Sequence, residues 1–111
     1  MLRAFAAAEA AAKSGEVPVG AVVVDKLGNI LAVAANRTLT DRDPTAHAEM
    51  IAIREAASKL GSERLIDCDL YVTLEPCAMC AGAISHARIR RLYFAASDEK
   101  MMAFTSMAAA T

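Results

Sequence analysis

Leu70-Tyr71-Val72-Thr73-Leu74-Glu75-Pro76-Cys77-Ala78-Met79-Cys80 is the stretch on which the fold turns. Its first five residues are apolar or β-branched and read as a strand. Pro76 suits the first position of a helix, where its missing N–H costs nothing. The small residues Ala78, Ala81, Gly82 and Ala83 continue that helix from Cys77 to about His86, and Ile89 to Ala95 reads as a further strand. A strand, a crossover helix and a second strand in one sheet must run parallel, with a right-handed connection. Cys77 and Cys80 lie three apart, which on a helix puts both sulfurs on one face.

Upstream, the hydrophobic pattern supplies the rest of the sheet. Leu2, Phe5, Ala6, Glu9, Ala12 and Lys13 mark an alanine-rich helix that ends at Ser14-Gly15. Val17 to Val24 is nearly continuous apolar sequence, the pattern of a strand buried on both faces, with Pro18 at its entry. Lys26-Leu27-Gly28-Asn29 is a turn signal, and Ile30 to Ala35 returns as the second arm of an antiparallel hairpin. A polar loop after Asn36 leads to a helix carrying Met50, Ile53, Ala57 and Leu60 at helical spacing, capped by Asp43 or Thr45 and stopped at Gly61. Strands and helices in this order predict a three-layer α/β/α domain with a mixed sheet of at least four strands.

The second stretch that carries chemistry is Pro44-Thr45-Ala46-His47-Ala48-Glu49. With Cys77 and Cys80 it offers one imidazole and two thiols, a soft ligand set suited to zinc, and three ligands leave a fourth tetrahedral position open for water. One zinc per chain is expected. Glu49 follows His47 by two residues, about 200° around a regular helix, yet both side chains can reach a site off the helix tip. A carboxylate there can act as general acid and base. Two helix N-termini aimed at the site would favour the thiolate forms of Cys77 and Cys80. Redox and structural-zinc readings compete for a lone Cys-x-x-Cys. Structural zinc would leave Glu49 without a role, and the spare sulfur ligand is Cys68.

Composition narrows the partners. The chain has 111 residues, enough for one small domain, and a net charge of −1, so no global basic field draws it to nucleic acid or membrane. Its three cysteines, two of them in the metal motif, argue for a reducing compartment and hence a cytoplasmic protein. No apolar stretch is long enough to span a bilayer. His86 reads as a helix-end or surface residue, and Arg88, Arg90 and Arg91 read either as phosphate binders or as a charged strand edge. The small-residue face around Ala78, Gly82 and Ala83 suggests a homodimer. Residues 1–100 read as the domain and 101–111 as a short tail in which Met101, Met102, Phe104 and Met107 could pack back over the sheet or across a dimer, the alternative being a disordered end over the last four residues.

The pattern His-x-Glu, then Pro-Cys-x-x-Cys, is shared by zinc nucleobase deaminases. From about Val17 to Lys100 the chain resembles bacterial tRNA-specific adenosine deaminases of the cytidine deaminase-like fold. The likeness is carried by Pro18 to Val22, Asn36-Arg37, Pro44 to Glu49, Leu70 to Cys80 with Ala81-Gly82-Ala83, and Ser85 to Ile89. The resemblance implies zinc held by His47, Cys77 and Cys80, with Glu49 shuttling protons. It implies Asn36 and the backbone of Ala48 on the flipped base, and Asp98 near the RNA backbone. A tRNA anticodon stem-loop would be the substrate and adenosine-to-inosine conversion the reaction. Deamination of a small cytosine- or guanine-type nucleobase and a catalytically silent zinc-stabilised domain are the alternatives. The family usually continues with glycines, a further strand and helices, where this chain reads Met101 to Thr111.

Overall fold

A computed structural model describes residues 1–96; Asp98 and the residue 101–111 tail lie outside the described residues. The elements run α1 (Leu2–Lys13), β1 (Gly20–Val24), β2 (Ile30–Ala35), α2 (Ala48–Leu60), β3 (Asp69–Val72), α3 (Ala78–Ala87) and β4 (Arg91–Phe94). They form a four-stranded sheet in the order β2-β1-β3-β4. β1 is antiparallel to both β2 and β3, whereas β4 lies parallel to β3, as the crossover through α3 requires. The mixed sheet and three-layer α/β/α arrangement match the expectation.

One core lies between the sheet and α2 and α3. Ala21, Val23, Ala32, Ala34, Leu70 and Val72 point from the strands into it, against Ala48, Ala52 and Ala56 of α2 and Ile84 and Ala87 of α3. The opposite face of β1 and β2 carries α1. The hairpin turn is built by Asp25, whose Oδ1 accepts the N–H groups of Leu27 and Asn29, both at 2.9 Å. Gly28 takes φ 85°, a conformation glycine adopts without a Cβ penalty.

Three sequence expectations need correction. In α1 the buried face is Ala4, Ala8 and Ala11, while Leu2 and Phe5 are exposed. The cause is Gly20: a Cβ there would strike the carbonyl oxygen of Ala4 and lie 2.9 Å from the Ala8 nitrogen. The helix backbone rests directly on the strand, so only alanines fit beneath it. In α2, likewise, Ala48, Glu49, Ala52 and Ala56 are buried, and Leu60 is exposed. Finally, β1 begins at Gly20 rather than Val17, because Val17 is exposed and Pro18 has no N–H to give to a ladder.

Candidate metal centre and active site

Two helix starts meet at the C-terminal end of β3. His47 is the N-cap of α2 with extended backbone (φ −76°, ψ 152°), and Cys77 is the N-cap of α3 (φ −71°, ψ 173°). Neither ligand candidate is therefore inside its helix. That explains how His47 and Glu49 both reach one site, since the 200° separation of a regular helix never applies to an extended N-cap. Cys80, in the first turn of α3, is fully buried; Cys77 is half-buried.

The side chains converge. His47 Nδ1 lies 3.6 Å from Cys77 Sγ and 3.5 Å from Cys80 Sγ. All three donor atoms fall within 4.8 Å of one another. A tetrahedral zinc with bonds of about 2.3 Å to sulfur and about 2.0 Å to nitrogen holds those atoms about 3.5 Å apart. Both sulfur–nitrogen distances meet that requirement, so the residues present fit the ion. Among the described residues, no other group of three potential metal ligands is found.

Glu49 is buried, 4% exposed, and burial raises its carboxyl pKa, opposed by its own backbone N–H, the Cys80 thiol and His47. Burial, followed by the charges of Glu49 and Cys77, pushes the Cys80 thiol well above the usual range. A buried thiol beside a carboxylate is favoured as thiolate by a cation, which is the chemistry zinc brings to cysteine.

Asn36, at the end of β2, is buried, and its Oδ1 accepts the Ala48 N–H at 2.9 Å. It thus caps α2 from twelve residues upstream, the role expected of Asp43 or Thr45. Asp43 Oδ1 instead accepts the Thr45 N–H (2.9 Å) and hydroxyl (2.7 Å), closing a local turn. This bond joins Asn36 to the backbone of Ala48, the two positions that the resemblance assigns to the flipped base. Long-range capping leaves no mark in sequence spacing, so the local candidates looked better.

The arginines sit elsewhere. Arg90 grips the carboxylate of Asp69 with Nε at 3.0 Å and Nη2 at 2.9 Å, at the N-terminal ends of β3 and β4. That is the end of the sheet opposite the metal ligands. Arg88 is the left-handed C-cap of α3, with φ 62°. A cleft of about 570 Å³ runs between α1 and α2 beside β2; Glu16, Asn36, Arg37 and Thr40 line it, and the three metal-ligand candidates do not.

Two helix starts thus bring an imidazole and a thiol pair together as a zinc-type ligand set, with a buried carboxylate beside it. The chain belongs to the family described as cytidine and deoxycytidylate deaminase zinc-binding region, whose profile matches residues 1–96. It is 52% identical over 106 residues to a tRNA-specific adenosine deaminase of Haemophilus influenzae, covering 96% of this chain and 61% of that protein. The corresponding protein of Agrobacterium fabrum is 56% identical over 97 residues, covering 87% and 63%. Among solved structures, one from a study of A-to-I editing by tRNA:A34 deaminases at the wobble position superposes with a TM-score of 0.88 at 54% identity, covering 91% of this chain and 77% of that one. The guanine deaminase of Bacillus subtilis gives a TM-score of 0.84 at 43% identity, covering 93% and 67%. The chain spans about three-fifths of the length of the first two relatives.

Proposed function

We propose that the chain is a hydrolytic deaminase that converts adenosine to inosine in tRNA, at the wobble position of an anticodon stem-loop. One zinc per chain is held by His47 Nδ1, Cys77 Sγ and Cys80 Sγ. When bound, zinc supplies Lewis acidity that makes water acidic near neutral pH. Glu49 takes a proton at its carboxylate as water adds to the ring carbon bearing the amine, and returns it to the departing ammonia. Asn36, with Oδ1 fixed by Ala48, leaves its amide nitrogen to orient the flipped base. Asp98 would lie near the RNA backbone.

The observation that carries this reading is the sulfur–nitrogen spacing of 3.5 and 3.6 Å with a buried carboxylate next to it. The relatives' identity favours adenosine in tRNA, and the likeness to a guanine deaminase keeps a free purine base as the second reading. The protein is cytoplasmic in this reading. It also works as a homodimer through α3, where Gly82 faces open space and Met79 is exposed.

Ammonia release from free bases, nucleosides and an anticodon stem-loop separates these substrates. Glu49→Ala should keep about one zinc per chain while losing deamination by several orders of magnitude. Cys80→Ala should lose metal and stability together. Zinc lost in Glu49→Ala would overturn the division of roles.

A further inference from the structure

The loop from Asn36 to His47 joins the candidate base-orienting residue to the candidate metal ligand. Its base is strapped by the Arg37 N–H, which donates to the Ala46 carbonyl at 2.9 Å. Its apex is held by a residue far away in sequence. Glu16 accepts the N–H of Leu39 at 3.2 Å, the N–H of Thr40 at 2.7 Å and the hydroxyl of Thr40 at 2.6 Å. Glu16 is buried, 6% exposed, with these three donors as its hydrogen-bond partners among the described residues and the Arg37 charge acting on it as well.

The backbone of Glu16 is fixed as firmly as its side chain. α1 ends with Gly15 at φ 82°, the Gly15 N–H donating to Ala12 at 3.1 Å and the Glu16 N–H to Ala11 at 3.0 Å. This paired closure locks the chain leaving a helix. Glu16 is therefore an anchored acceptor, and the loop apex is the part that depends on it. Burying a carboxylate is unfavourable unless its oxygens are hydrogen-bonded. Three donors to one buried carboxylate make the Leu39–Thr40 apex the place where the loop can close.

We propose that Glu16 is a positioning residue for substrate binding: it holds the Asn36–His47 loop in the conformation that presents Asn36 to the substrate. The inference rests on the deaminase reading above for its substrate, but the clamp itself can be tested without activity. A chain whose loop is ordered only part of the time binds substrate only in that fraction, so its apparent affinity falls by the same factor. Chemistry after binding should change little: Glu49, Cys77 and Cys80 lie outside the loop, and His47 at its far end is tied to α2 by its carbonyl, which accepts the Ile51 N–H at 3.1 Å. Simple loss of folded protein does the reverse, lowering kcat at constant KM.

Glu16→Gln and Thr40→Val test this in the full, zinc-loaded chain. Trypsin cuts after Arg37 and Arg42, both inside the loop and both exposed. Cleavage there should rise about 10-fold in Glu16→Gln and less in Thr40→Val, with zinc content unchanged and the melting midpoint nearly so. On an RNA stem-loop with adenosine in its loop, KM should rise by a similar factor with kcat within about twofold. The double variant should be less than additive, since both changes remove one interaction. Unchanged cleavage in both variants, or kcat falling at constant KM, overturns the proposal. Should Glu16→Gln fail to fold, Thr40→Val decides by the same two readouts. If the unaltered chain deaminates no probe, the functional reading fails, and loop cleavage alone judges the clamp.

Discussion

β1 and β4 are both short, apolar strands of one sheet, yet they live in different environments. β1 (Gly-Ala-Val-Val-Val) has its first four residues buried, whereas all four residues of β4 (Arg-Leu-Tyr-Phe) are exposed. β1 lies between β2 and β3 with helices on both faces; β4 lies at the sheet edge and, among the described residues, pairs with β3 alone. Residue type sets how much burial can stabilise a strand, but position in the sheet sets how much it does. Among the described residues, Leu92, Tyr93 and Phe94 combine apolar surface with an unpaired edge, the combination that invites a cover.

The sharpest way to break this contrast is at the glycine that lets β1 touch α1. Gly20→Val puts a branched side chain into the Ala4 backbone, and we expect a cost above about 4 kcal/mol and no folded protein at ordinary temperature. Denaturant unfolding or a thermal scan reads it directly. A folded Gly20→Val protein would mean that α1 can lift off the sheet.

A finer test uses neighbours. Leu70 of β3 and Leu92 of β4 are register partners, the first fully buried and the second 36% exposed. Leu70→Ala should cost about 3 kcal/mol, as buried leucines do. Leu92→Ala should cost about 1 kcal/mol, in proportion to the area it buries. Equal costs would show that β4 is covered in solution by chain or partner beyond residue 96.

An effect no larger than that of Leu92→Ala is expected at the polar end of the same strand pair. Arg90 hydrogen-bonds the Asp69 carboxylate and holds its pKa below the usual range. Asp69 is stabilising when ionised, so its contribution is complete above its unfolded pKa of about 3.9 and fades as pH falls through the lower folded value. Asp69→Asn should therefore cost about 1 kcal/mol near neutral pH. The gap between the two proteins should close at the acidic end of the range, below about pH 4. A gap that persists there would mean the aspartate acts through packing rather than charge.

Sequence alone was enough for the order and type of every element from α1 to β4, the parallel β3–β4 pair and the grouping of His47, Glu49, Cys77 and Cys80. Those signals are local: runs of β-branched residues, glycine stops, proline at a helix start, and a ligand spacing tied to one helix turn. What only the tertiary structure decided is which faces are buried, where the loops are held and what the acids feel. The large side chains of α1 point outward because Gly20 brings two backbones together, and no window along α1 records that. Asn36 caps α2 from β2, and Glu16 holds the loop 23 and 24 residues away. The raised carboxyl of Glu49 and raised thiol of Cys80 come from burial among one another, a property of the assembled site. Local preference writes the elements; burial and hydrogen bonds between distant segments, settled only when the chain closes on itself, set the chemistry.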